Sequence, residues 1–104
     1  MTLRITWDPA KDQANRVKHG LSFDEAARLF TGGADYLERF DEEHSDEEDR
    51  FVAVGPVARG LIVVVFVDGW DGALRIVSAR MATGSERRRY ERACQGERRT
   101  RFPN

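Results

Sequence analysis

Cysteine is nearly missing from this chain of 104 residues: Cys94 stands alone. No intramolecular disulfide can form, so packing must hold the fold, and a reducing compartment is expected. Long apolar runs are missing too. The longest, Leu61–Val67, is far too short to cross a bilayer. The N-terminus lacks the charged-then-apolar pattern of a secretion signal, so a cytoplasmic location with no membrane partner is expected. Metal chemistry has no support in spacing: His44 lies among acids, but the pattern fits no known ligand set. A phosphate-cradling glycine loop, a nucleophilic serine motif and a Cys/His pair are likewise wanting, and no cofactor is expected. Lysine is scarce, with only Lys11 and Lys18 against fifteen arginines. The two side chains are not interchangeable, which singles out the lysine positions mildly.

What is present is a lean globular composition, 40% hydrophobic and 34% charged, enough for one small core. The net charge of −1 excludes a uniformly basic protein. Charge is nevertheless segregated: nine acids against two bases between Asp35 and Arg50, and eight bases against three acids from Arg80 onward. An acidic middle and a basic end suggest two surfaces with different partners. We expect a single domain over residues 1–95 and a basic, flexible tail over 96–104.

In order, Leu3–Trp7 alternates as a short strand. Asp8-Pro9 then opens a helix, with the carboxylate as N-cap and proline at the first helical position. Ala10, Ala14 and Val17 form its apolar stripe, and Gly20 ends it. Ser22-Phe23-Asp24-Glu25 is the capping box of a second helix, with Leu21 as a hydrophobic staple and Phe23, Ala26, Ala27 and Phe30 as its buried face. Ala34–Phe40 reads as an edge strand, Asp41–Arg50 as a solvated acidic loop, and Phe51–Val54 as a strand that Gly55-Pro56 breaks or bends. Leu61–Val67 is a central strand buried on both faces. The pattern is β-α-α-β-β-β-α, an α+β fold. Its four- or five-stranded, mostly antiparallel sheet carries two N-terminal helices, with a C-terminal helix near one end.

The chain is organised around Arg75–Tyr90. Alternation puts Leu74, Ile76 and Ser78 on one face and Arg75, Val77 and Ala79 on the other. Thr83-Gly84-Ser85-Glu86 is a capping box that switches strand to helix, which leaves Arg80 aimed by two rigid elements. Arg87, Arg88 and Arg89 follow at the positive end of the helix dipole, where guanidinium groups gain nothing. Either an anion draws them there, or Arg88 and Arg89 belong to a solvated face.

Several pieces together resemble the BrnT family of toxins: Trp7-Asp8-Pro9 with Asn15, Lys18-His19-Gly20 leading into Ser22–Ala26, His44-Ser45, Arg50-Phe51, Val54-Gly55, and Ser78–Thr83 followed by Glu86-Arg87 and Tyr90-Glu91. No single piece is specific; their order and spacing carry the likeness. Two positions depart from it, Pro56 after Gly55 and Asp49 before Arg50. The resemblance implies a RelE-like fold and the role of a ribonuclease toxin of a type II toxin–antitoxin pair. It also implies neutralisation by a BrnA-like ribbon-helix-helix antitoxin that alone contacts operator DNA. A heterotetramer of two toxins on one antitoxin dimer is expected.

Cleaving RNA without a metal uses the 2′-hydroxyl as nucleophile and needs a base, charge on the phosphate oxygens and an acid. On that chemistry Arg50 and Arg80 would hold the scissile phosphate, with Lys18 and His19 as the proton-transfer or positioning pair. Arg87, Arg88, Trp70 and Tyr90 would contact substrate, Trp70 by stacking from a hairpin tip. Each has a plainer reading. Lys18 and His19 suit a helix C-terminus; Arg50 could pair with Asp46–Asp49, and Arg80 with Glu86; Tyr90 could pack under the third helix; Trp7 belongs to the core. The alternative function is a non-catalytic RNA- or protein-binding module.

Overall fold

The computed structural model describes residues 3–41, 49–69 and 71–101, with side chains as far as 94. The acidic stretch with His44, and Trp70, therefore lie outside the described residues. Five strands form one sheet in the order β1-β5-β4-β3-β2. They are β1 (Ile5–Trp7), β2 (Leu37–Phe40), β3 (Arg50–Val57), β4 (Gly60–Asp68) and β5 (Leu74–Met81). Only the β1–β5 pair is parallel; the rest are antiparallel. The apolar run lies in β4, at the centre, where Leu61–Val64, Phe66 and Val67 are all buried.

Helices α1 (Pro9–His19) and α2 (Phe23–Thr31) begin and end where local chemistry places them. Asp8 accepts the Ala10 N–H at 2.9 Å, Ser22 accepts the Glu25 N–H at 3.1 Å, and Gly20 takes a left-handed φ of 70°. The core lies between α2 and one sheet face, with Leu21, Phe23, Ala26 and Leu29 against Ala53, Ile62, Val64, Phe66, Ile76 and Ala79. Trp7 packs edge-on to Phe23 at 6.3 Å, a core role as expected.

Three expectations are corrected. In α1, Ala10 and Ala14 are exposed and Val17 is 83% exposed. The packed side is instead the polar row Asp12, Asn15 and His19, at helical spacing. Asp12 accepts the Phe23 N–H at 2.8 Å, and Asn15 is the buried residue of the helix. This inversion is possible because α1 borders strand edge and helix junction, whose unpaired backbone groups call for hydrogen bonds rather than apolar contact.

The second correction concerns Gly55-Pro56, through which β3 runs unbroken to Val57. Leu37–Val54 is the last β2–β3 pair, so at Pro56 no outer strand awaits an N–H. Gly55 is required by crowding: a Cβ there would lie 2.6 Å from both Leu29 Cδ1 and Tyr36 Cβ. Gly55→Ala is expected to cost about 1–2 kcal/mol through overpacking, read as a lower midpoint in urea denaturation. A midpoint equal to the parent's would show that α2 and the Tyr36 segment yield freely.

The third lies in β5. Val65 pairs with Ser78 and Phe66 with Ile76, so Val77 is an extra residue, a β-bulge. Beyond it the faces exchange. Ala79 turns into the core, fully buried, while Ser78 and Arg80 turn to the opposite, open face. Strict alternation would have driven Arg80 in beside Ile76.

Helix α3 (Gly84–Arg101) follows and continues past Gly96. Its capping box forms as anticipated, Thr83 Oγ1 accepting the Glu86 N–H at 3.2 Å and Glu86 Oε1 accepting the Thr83 N–H at 2.8 Å.

Candidate active site on the open face

The register arranges the open face in rows. Arg80, Val63, Val54 and Leu37 lie side by side across four strands. Ser78, Val65, Val52 and Arg39 form the next row, and Arg75, Val67 and Arg50 the one after. Arg39, Arg50, Arg75 and Arg80 thus share a face whose middle is valine. No single property of the sequence exposes this set, because the parity of each arginine depends on strand register and on the bulge.

α3 crosses this face obliquely from the end of β5 toward β2. Contacts from Arg80 and Tyr90, among the described residues, help to tie it down. Arg80 donates through Nη1 and Nη2 to the two carboxylate oxygens of Glu86, both at 2.8 Å, and Nη1 also reaches Met81 O at 3.3 Å. Farther along, the Tyr90 hydroxyl donates to Asp35 O at 2.8 Å. Between them α3 stands off the sheet and leaves a cavity of about 480 Å³, walled by Leu37, Arg39, Val52 and Val54 below and by Arg89, Tyr90 and Ala93 above. Glu86 lines the cavity at the end nearest Arg80.

Arg80's hydrogen bonds, then desolvation opposing them, then a hydrogen bond from the Thr83 backbone, bring the Glu86 carboxyl down to about 2. Hydrogen bonding to Glu86 raises the Arg80 pKa in turn. The sign follows directly: a carboxylate with a depressed folded-state pKa adds stability above its ordinary value of 4.5, and the gain is lost as pH falls toward about 2. The two side chains are 40% and 27% exposed, so solvent screening limits the gain to about 1 kcal/mol. Urea titrations across that window should show a shallower acid loss of stability in Glu86→Gln than in the parent; superimposable curves would mean that the pair is worth nothing.

α1 is brought to the same end of β5. β1 stops at Trp7, opposite Ile76, leaving the outer edge of β5 without a strand beyond it. Asn15 fills that gap. Its Nδ2 donates to Ala79 O and to Leu21 O, both at 2.8 Å, and its Oδ1 accepts the Ala79 N–H at 3.1 Å. His19, one turn on, is half-buried along the same side of the helix; Lys18 is exposed. Arg59, in the β3–β4 turn, clamps the junction by donating to Gly20 O at 2.6 Å and to Glu25 Oε1 at 3.2 Å.

Arg80 and the helix that carries Lys18 and His19 are therefore linked through Ala79 and Asn15. Arg50 shares the open face but sits opposite Val67, four residues along β4 from Val63 and on its far side, roughly 15 Å from Arg80 by strand spacing. The two arginines occupy separate positions along the face. Arg87 and Arg88 are exposed on α3, Tyr90 is half-buried against the cavity, and Trp70 is outside the described residues. Arg39, Arg75 and Asn15 were given no chemical role in the sequence, and Arg89 only as one of three arginines that an anion or a solvated face would explain. Asn15 left one faint signal, a polar residue on the side of α1 opposite its alanines.

Residues 7–86 match the model of the family described as "Ribonuclease toxin, BrnT, of type II toxin-antitoxin system". The match runs from β1 to the Glu86 partner of Arg80 and leaves most of α3 beyond it. Among solved structures, the 1.1 Å crystal structure of the Brucella abortus ribonuclease toxin BrnT is similar, with a TM-score of 0.58 and 28% identity, covering 79% of this chain and 99% of that one. The comparison with curated proteins gives no match. Matched over most of its length, from the first strand to the carboxylate that holds Arg80, the chain belongs to the BrnT family of ribonuclease toxins of type II toxin–antitoxin systems.

Proposed function

We propose that this toxin is a metal-independent endoribonuclease that halts translation by cutting RNA bound across its open face. The observation that carries this reading is the bulge at Val77, which turns Arg80 out of the core onto the face shared by Arg39, Arg50 and Arg75. Single-stranded RNA suits such a surface, since its phosphates can meet guanidinium groups at several positions along it.

In this reading Arg80 binds the scissile phosphate. A guanidinium has five N–H donors, and the bonds to Glu86 and Met81 use three of them. The Nε–H and the second Nη2–H form a side-on fork that can still receive a phosphate bidentately. Glu86 serves as a positioning residue that holds the plane of this fork. His19 and Lys18, in the last turn of α1, handle the proton leaving the 2′-hydroxyl and the proton reaching the departing oxygen. Arg50 binds a second phosphate farther along the strand, a refinement of the expectation that both arginines share one. Arg87 and Arg88 add exposed positive charge at the entrance.

A partner must cover this face in the host. We propose a BrnA-like ribbon-helix-helix antitoxin, two toxins on one antitoxin dimer, with operator DNA contacted only by the antitoxin. The discriminating experiment incubates purified toxin with RNA in the presence of chelator. Cleavage leaving 2′,3′-cyclic phosphate ends, abolished by the antitoxin, is the expected result. Intact RNA, both free and on translating ribosomes, with no growth arrest on expression, would overturn the reading. The mass of the co-purified complex checks the stoichiometry.

A further inference from the structure

The position of the cavity under α3 gives it a use. We infer that it is a nucleobase subsite, which takes the unstacked base of the nucleotide adjoining the phosphate at Arg80. This rests on the ribonuclease reading and names a part of the site that sets which phosphodiester is cut.

Three observations support it. The first is adjacency. Glu86 is both a wall of the cavity and the partner of Arg80, and the row Arg80–Val63–Val54–Leu37 leads from the guanidinium to the cavity floor. A nucleotide whose phosphate meets the Arg80 fork has its sugar and base directed along this row. The second is the lining. Val52, Val54, Leu37 and Ala93 offer apolar contact to a base; the lining also holds the acids Glu38 and Glu86 and the guanidinium-bearing Arg39 and Arg89. The guanidinium groups can stack on the base or donate to its edge and to flanking phosphates. Arg50 continues the positive track beyond Val52. The third is size. About 480 Å³ lies within the range of small-molecule sites, roughly 300–1,000 Å³. A partner helix, about 10 Å across with its side chains, would need α3 to leave. The Tyr90–Asp35 bond and the Arg80–Glu86 pair hold α3 where it is.

The test titrates the full-length toxin with the four nucleoside 3′-monophosphates and, separately, with inorganic phosphate, following backbone amides by NMR. Nucleotides are expected to shift Val52, Val54 and Ala93 and to bind at least about tenfold tighter than phosphate, which shifts only the Arg80 end. Ala93→Trp, which fills the cavity from its α3 wall, should remove that tenfold advantage and leave phosphate binding intact. Arg89→Ala should weaken nucleotide binding without filling anything, which guards against a folding artefact. On RNA, the toxin should show a base preference beside its cut that Ala93→Trp flattens.

Nucleotides that bind no better than phosphate would overturn the subsite, as would an unchanged cleavage pattern in Ala93→Trp, and either leaves the ribonuclease reading standing. Conversely, nucleotide binding in the cavity with no cleavage of RNA supports the subsite and removes the enzyme. Shifts of the same amides by the antitoxin and by no nucleotide would make the cavity a protein-docking groove and end the proposal.

Discussion

Arg80→Ala is expected to reduce RNA cleavage by about 10²- to 10³-fold, the usual loss when a preorganised donor to a developing anion is removed. The size of the effect follows from how firmly this side chain is set. The bulge orients its Cα, a strand end holds its backbone, and Glu86 grips its guanidinium from α3 with two 2.8 Å bonds. A donor held so firmly needs no reorganisation when negative charge builds on the phosphate. The substitution also removes one of the ties on α3, so lost activity alone would be ambiguous. Arg80→Lys and Glu86→Gln separate the causes. Lysine keeps the charge but not the fork, and single-turnover cleavage should still fall by at least about tenfold. Glutamine keeps Arg80 and weakens the tie, so cleavage should fall less than in Arg80→Ala while α3 loosens to a similar extent. Should Arg80→Ala cut RNA within about threefold of the parent rate at equal folded fraction, the phosphate is not held there and the mechanism must move elsewhere.

The second large effect is expected at Asn15, a buried residue with a packing role. Asn15→Ala should destabilise the fold by about 3 kcal/mol, measured as the free energy of urea unfolding. One carboxamide satisfies the Ala79 N–H, the Ala79 carbonyl and the Leu21 carbonyl in a position only 7% exposed. Alanine would leave these three backbone groups unpaired beside the core, and each such group carries a penalty of about 1–3 kcal/mol when water cannot reach it, with partial relaxation reducing the sum. Asn15→Asp should be at least as harmful, because it keeps an acceptor for the N–H but sets a carboxylate against two carbonyl oxygens. In the proposed mechanism activity should decline beyond the loss in folded protein, since Asn15 ties α1, which carries His19, to Ala79 beside Arg80. A cost below about 1 kcal/mol would mean that water replaces the carboxamide and that α1 is positioned by other contacts.

The apolar face that α1 turns outward, with Val17 83% exposed, changes how the helix should be read. Its alanines and valine recur as a core-facing stripe would, and periodicity alone cannot tell which side meets the protein. The decision belongs to the neighbour. Here that neighbour is an unpaired strand edge and a helix junction, and their demand for hydrogen bonds outweighs the modest gain from burying two alanines and a valine.

Local chemistry was legible wherever a residue acts on its own few neighbours. The Asp8-Pro9 start, the Ser22 and Thr83 caps, the Gly20 stop and the buried run of β4 all followed from the sequence, because each is settled within a turn of helix or the width of a strand. The Arg80–Glu86 contact was legible for the same reason, spanning six residues across one capping box. Face and register were not. A single bulge at Val77 exchanges the two sides of β5, and the company of Arg39, Arg50, Arg75 and Arg80 depends on how four strands align. The chain by itself determined which elements form and where they end. Only the packed sheet decided which side chains look the same way, since side-chain direction alternates with every residue and one added residue reverses all that follow.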